Sequence, residues 1–247
     1  MTRRLSGIWH AWHFQFALGL VIKSLCGSFC SACLHPLTRR YMLGGIKMTY
    51  VDKFIESVRF LEKFDKQHKK MKINYDNFKK HILNNKNDAE LTGFLSSKLD
   101  EIASSFLSNS AIDPVNQCHN FSQSFYEHWS SQQLGQLAPV AISIGTVAYE
   151  NKEIYEVSRG SVKRLLNEGF NPNKSLNVHV WLTFLDMTVL DLTIVPTLID
   201  KGVAELSDFD GKDYVIWREE EASKLQYFPI LQDNRFLYKV DKVKHRI

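Results

Sequence analysis

The hydrophobic period of this chain changes once, at Pro139, and that change constrains the fold more than any other feature. Upstream, Tyr50, Phe54, Val58, Leu61 and Phe64 fall three or four residues apart with Lys, Glu and Asp between them, the spacing that lines one face of a helix. The charged continuation, 65–72, reads as a solvated face or loop, and a second helical stretch covers 75–83. Asn87-Asp88 supplies an N-cap for a third helix over 89–107, in which Leu91, Phe94, Leu95, Leu99, Ile102, Phe106 and Leu107 keep helical spacing. Past the turn signal Asp113-Pro114, a fourth helix is predicted to open near Val115 or Asn116 and to carry Phe121, Phe125 and Trp129. Downstream of Pro139 the pattern becomes that of strands. They are expected over 140–149, 153–157, 177–184 and 188–193, with weaker ones at 214–218 and 236–240 and a short helix at 161–167 that Gly169 ends. Helices first and a mainly antiparallel sheet after them make an α+β chain.

The formal net charge of +4 would hint at an anionic partner, but its placement removes the hint. Residues 1–47 hold six of the 31 Lys and Arg and no acidic residue, which leaves 25 basic against 27 acidic side chains in the remainder. His68-Lys69-Lys70, the basic stretch of that remainder, lies beside Glu62 and Asp65 and reads as a solvated face. No nucleic-acid motif is present in the sequence, and no nucleic acid is expected as a partner. The cysteines divide at the same place: Cys26, Cys30 and Cys33 precede Met48, and Cys118 alone follows it.

Three readings of residues 1–47 stay open. Arg3 and Arg4 before the apolar run Phe14 to Ile22, with Gly27-Ser28 and Ser31-Ala32 after it, outline a secretory signal. That run contains Gln15, stops at Lys23 and falls well short of the roughly 20 apolar residues of a spanning helix, so no stable membrane span is expected. Cys26-x3-Cys30-x2-Cys33 resembles the radical S-adenosylmethionine spacing, in which three thiolates hold a four-iron cluster and leave one iron open. Here Ala32 stands where that family usually has an aromatic residue, and a zinc site with His35 lacks a second ligand pair. The third reading is translated upstream DNA. Gly44-Gly45 stands just before Met48, two glycine codons can spell a bacterial ribosome-binding site, and translation is then expected to start at Met48. The chain accordingly divides into 1–47 (leader or signal-like), 48–110 (helical) and 111–247 (α+β core). Its expected location is cytoplasmic, or secreted if 1–47 acts as a signal.

Three residues of the core suit one another chemically. Cys118 is placed at a helix start, where partial positive charge favours the thiolate. His179, in the strand segment His179-Val180-Trp181, would pair with it as base and acid, and Asp191, in Asp191-Leu192-Thr193, would orient the imidazole and fix its tautomer. Each has a plain structural alternative: a small buried thiol, a satisfied core histidine, a cap for a helix near Ile194. His119 adjoins Cys118 on the helix but is expected to point roughly 100° away, and His128 is expected at the surface. Zinc through Cys118, His119 and His179 lacks recognisable ligand spacing.

A helix-initiating Cys, then a strand with His-x-Trp, then a neighbouring strand with Asp and Thr resembles the transglutaminase-like branch of the papain-related superfamily, over about residues 110–200. The resemblance implies a papain-like core, a Cys118, His179, Asp191 triad flanked by Trp181 and Thr193, no cofactor, and a peptide, protein or small amide as substrate. It implies a thiol hydrolase, deamidase or acyltransferase working through an acyl-thioester. The alternatives are a non-catalytic binding or structural module on the same fold and an iron–sulfur protein through Cys26, Cys30 and Cys33. Two departures stand out: Leu192 follows Asp191 where the family has Pro, and no Gly or Trp flanks Cys118, so Gln117 or Asn116 are the only side chains to suggest as oxyanion donors.

Strand parity adds a condition. A two-residue turn at Asp186-Met187 would pair Leu182 with Asp191 and turn the carboxylate away from His179. A three-residue loop, 185–187, pairs Trp181 with Asp191 and brings His179 diagonal to it on one face. The triad therefore requires an odd-length loop or a bulge.

Overall fold

The computed structural model describes residues 48–170 and 177–244. The Cys26, Cys30, Cys33 cluster and the signal-like run lie outside the described residues. The helices of the first half are α1 (Tyr50–Leu61), α2 (Lys66–Met71), α3 (Tyr75–Lys86), α4 (Ala89–Ser108), α5 (Cys118–Ser131) and α6 (Gln133–Leu137). Then come β1 (Val140–Tyr149), β2 (Lys152–Glu153), α7 (Arg159–Glu168), β3 (His179–Phe184), β4 (Val189–Asp191), α8 (Ile194–Asp200), a 3₁₀ turn (Leu206–Phe209), β5 (Val215–Trp217), β6 (Leu225–Gln232) and α9 (Phe236–Lys244). No helix of the described residues is long and apolar enough to cross a membrane.

Local chemistry sets the helix starts. Thr49 and Asp52 form a capping box on α1, while Asp65, Asn74 and Asp88 cap the next three helices with their side chains. The α2 segment has no buried residue, so the 65–72 stretch is solvated although helical. α5 opens at Cys118, later than expected, because Asn116 takes φ 58°, a left-handed conformation that a right-handed helix does not include.

The chain is α+β: helices precede a curled antiparallel sheet in which β1 pairs with β2, β3 and β6, β3 with β4, and β4 with β5. Two strand expectations need correction, and one strand is additional. Residues 236–240 begin α9, because Asp233 accepts the Arg235 and Phe236 N–H groups in a helix-opening turn and Phe236 and Val240, four apart, are both buried. Only Lys152–Glu153 pairs in the second segment; the chain then leaves the sheet toward α7. β6 was not foreseen, since Pro229 argues against a strand. Pro229 sits opposite Gly145, at the bulge that shifts the β1–β6 register between Ile144 and Gly145, where the ladder is already interrupted.

Both faces of the sheet are covered. Val140, Ile142, Ile144, Val180, Leu182 and Phe184 pack with Phe121, Phe125 and Trp129 of α5 and with Leu95 and Leu99 of α4. On the other face Ala141, Val147, Trp181, Val189 and Tyr227 pack with Tyr50, Phe54 and Val58 of α1 and with Ile194 and Leu198 of α8. β1 is therefore buried along its whole length, which accounts for its continuous apolar run. Gly145 is required where it stands, because a Cβ there would meet the Phe228 carbonyl oxygen at 2.2 Å and the Trp181 ring at 2.9 Å.

A single-direction hydrogen-bond chain pins α1 to this second face. Ser57 donates to the Phe54 carbonyl (2.6 Å) and so accepts from Gln232 Nε2 (3.0 Å), while Gln232 Oε1 takes the Ser143 hydroxyl (2.8 Å). Ser143 must then accept from Thr183 (2.7 Å), Thr183 from Tyr50 (2.7 Å), and Tyr50 from the Trp181 indole N–H (2.9 Å).

Candidate active site

α5 runs alongside β3 in the same direction, and two of its side chains bind carbonyls on that side: Cys118 Sγ donates to Val178 O at 3.7 Å and Ser122 Oγ to Val180 O at 3.0 Å. The spacing is metric. Four helical residues rise about 6.0 Å and two strand residues about 6.6 Å, so side chains at i and i+4 meet alternate carbonyls. This docking delivers the thiol to the residue immediately before His179.

The β3–β4 hairpin brings Asp191 to the same place. Leu182 pairs with Leu190 and Thr183 with Val189, and Phe184 N–H donates to Thr188 O at 2.8 Å, leaving Leu185, Asp186 and Met187 as a three-residue loop. Met187 at φ 66° supplies the left-handed residue such a loop uses, and Asp186 Oδ1 accepts the Thr188 N–H at 3.0 Å. This is the odd loop that the triad requires, and it places Asp191 Oδ2 2.6 Å from His179 Nε2.

Asp191 does two jobs. Its Oδ1 accepts the backbone N–H groups of Thr193 and Ile194, each at 3.1 Å, and so caps α8. Its Oδ2 accepts from His179 Nε2 and, at 3.1 Å, from the Tyr227 hydroxyl. The helix-cap alternative and the catalytic one are thus both satisfied by one carboxylate. Because a carboxylate only accepts, the imidazole proton sits on Nε2, and Nδ1 presents a lone pair. His179 and Asp191 are fully buried, and Nδ1 has no hydrogen-bond partner.

The electrostatics follow from burial and neighbours. Burial would raise the Cys118 thiol, but the neighbouring His119 and His179 rings, together with their charge, bring it down to about 6. Burial would lower His179, but the charge and hydrogen bond of Asp191, then the thiolate, raise it to about 10. The thiol is thus lowered and the imidazole raised, the directions in which each favours the charged form of the other. Burial holds the Tyr227 phenol well above its ordinary range, so it remains a donor to Asp191.

His119, next to Cys118 on the helix, adds to the influence that holds the thiol low. His128 is exposed and pairs with Gln132 at 2.7 Å. Gln117 is tied through its carboxamide oxygen to Asn120 Nδ2 at 2.7 Å, and Asn116 N–H donates to Thr197 Oγ1 at 3.3 Å. No side chain caps α5, so its first N–H groups remain as donors beside the thiol. Tyr155 and Tyr227 also border the site, and neither carries a sequence signal beyond being aromatic. Among the described residues no three His, Cys, Asp or Glu side chains group to hold a metal ion.

Comparison with known proteins gives no match to any family model, to any curated protein or to any solved structure.

Proposed function

We propose that this chain is a cysteine-dependent enzyme with a papain-like, transglutaminase-type core that attacks an amide or ester carbonyl. One observation carries the reading: a buried imidazole held by Asp191 at 2.6 Å on Nε2, with a bare Nδ1, beside a thiol docked on the preceding residue. The Cys118 proton passes to His179 Nδ1, and the thiolate sulfur bonds to the carbonyl carbon while the carbonyl π electrons move to oxygen. The first N–H groups of α5, which no side chain caps, serve as the donors to that oxygen. When the carbonyl re-forms, the bond to the leaving amine or alkoxide breaks and the imidazolium returns its proton there. Water resolves the acyl-thioester in hydrolysis or deamidation, and an amine resolves it in acyl transfer. The family order of Cys118, His179-Val180-Trp181 and Asp191-Leu192-Thr193 supports the same reading.

A second reading, a non-catalytic module on this fold, is favoured by the closure of the site: Cys118 is 6% exposed, and His179 and Asp191 are 0%. Alkylation of the folded protein by iodoacetamide, followed from pH 4 to 10 with the modified residue located by mass spectrometry, separates the two. Modification of Cys118 with a midpoint near 6 supports the enzyme. An inert thiol, or a midpoint at or above the ordinary thiol value of 9.0, overturns it.

A further inference from the structure

We propose that Tyr155 is a positioning residue of this site, its ring face holding His179 in the cationic form. The inference rests on the triad reading above. The Tyr155 ring lies 4.9 Å from the His179 ring, centroid to centroid, with 17° between planes, whereas Trp181 is 6.0 Å away at 26°. A cation against an aromatic face within about 6 Å is attracted by the ring quadrupole, most strongly where water is excluded. His179 is buried, and Tyr155 retains 7% exposure. Asp191 supplies charge at one edge of the imidazole; the Tyr155 face supplies it across the plane, where no carboxylate reaches.

Tyr155 lies on irregular backbone, yet it is firmly set. Its carbonyl accepts the Thr146 hydroxyl at 2.6 Å, and the preceding Ile154 N–H donates to Val147 O at 2.9 Å. The charged and titratable groups bearing on His179 are Asp191 of β4, Cys118 and His119 of α5, Tyr155 itself, and Tyr227 of β6 through Asp191. Lys201, which follows α8 as its C-cap, has its ammonium 6.0 Å from the Tyr155 ring and is a second cation drawing on the same π system.

The test measures the Cys118 midpoint from the pH dependence of iodoacetamide alkylation and the His179 midpoint by NMR, on the full chain, for wild type, His179→Ala, Tyr155→Phe and Tyr155→Leu. Tyr155→Phe keeps the stack and is expected to leave both midpoints within a few tenths of a unit. Tyr155→Leu is expected to lower the His179 midpoint and raise that of Cys118 by about 0.4 to 1.5 units, the range of a cation–π contact. Should Tyr155→Leu not fold, phenylalanines of increasing ring fluorination at 155 keep the shape while weakening the negative face, and the midpoints should move stepwise. Unmoved midpoints in the Leu or fluorinated variants, with His179→Ala still raising the thiol, overturn the Tyr155 role and leave the triad standing. A wild-type thiol with an ordinary midpoint, unchanged by His179→Ala, overturns the triad and with it this inference.

Discussion

Two buried polar systems share one face of the sheet, and they are finished differently. The chain from Trp181 through Tyr50, Thr183, Ser143, Gln232 and Ser57 to the Phe54 carbonyl uses every donor in turn and is held entirely by hydrogen bonds between α1, β1, β3 and β6. Two residues from Trp181 on the same strand, His179 keeps Nδ1 without a partner. Leaving such a group bare in a protein interior costs about 1–3 kcal/mol. Proton transfer from Cys118 removes that cost by giving both groups an ionic partner. The complete system reads as scaffold, and the incomplete one as chemistry.

Removing the imidazole is the strongest way to break the contrast. His179→Ala removes one of the two imidazoles that hold the Cys118 thiol low and leaves its burial in place, so its midpoint should rise from about 6 toward the ordinary 9.0. At pH 7 the thiolate fraction, and with it the alkylation rate, should fall by up to about 100-fold. An unchanged rate would show that His119 alone activates the thiol. Asp191→Asn should act less severely, by about tenfold, because the Asn oxygen can still cap α8 while the charge that holds the imidazolium is lost.

The scaffold half of the contrast predicts the opposite division of effects. Gln232→Leu strands Ser143 and Ser57 in the core and should cost about 1–3 kcal/mol of stability, read from urea denaturation, without moving the Cys118 midpoint. A shift of that midpoint would mean that the two polar systems are one.

How much of this could be read from sequence follows the same line. α1 was legible from apolar spacing alone, and α4 because apolar spacing and a capping side chain agreed at its start. The His179–Asp191 meeting was legible through parity, since an odd loop is the condition for the two to share a face and Leu185 to Met187 provides it. β6 was not, because a proline in a strand argues against it until the bulge opposite is known, and Tyr227 was hidden with it. Tyr155 was hidden for another reason: a tyrosine stacked on a histidine has the same sequence pattern as any core aromatic.

The pH dependence of stability has a sign that the site geometry fixes. A thiol lowered from 9.0 to about 6 on folding adds stability that is full above 9 and is lost as pH falls through 6. An imidazole raised from 6.5 to about 10 adds stability that is full below 6.5 and is lost as pH rises through 10. Both describe one ion pair, so the advantage of wild type over Cys118→Ser in thermal melts should shrink as pH falls from 9 through 6. Tyr227→Phe should give the smallest effect. It deletes one of the two donors on Asp191 Oδ2 while keeping the ring, so His179 bonds to a carboxylate with more charge to share. The His179 midpoint should then hold or rise by a few tenths of a unit, against a stability loss of about 1 kcal/mol. A fall in that midpoint would mean that Tyr227 orients Asp191 more than it competes for it.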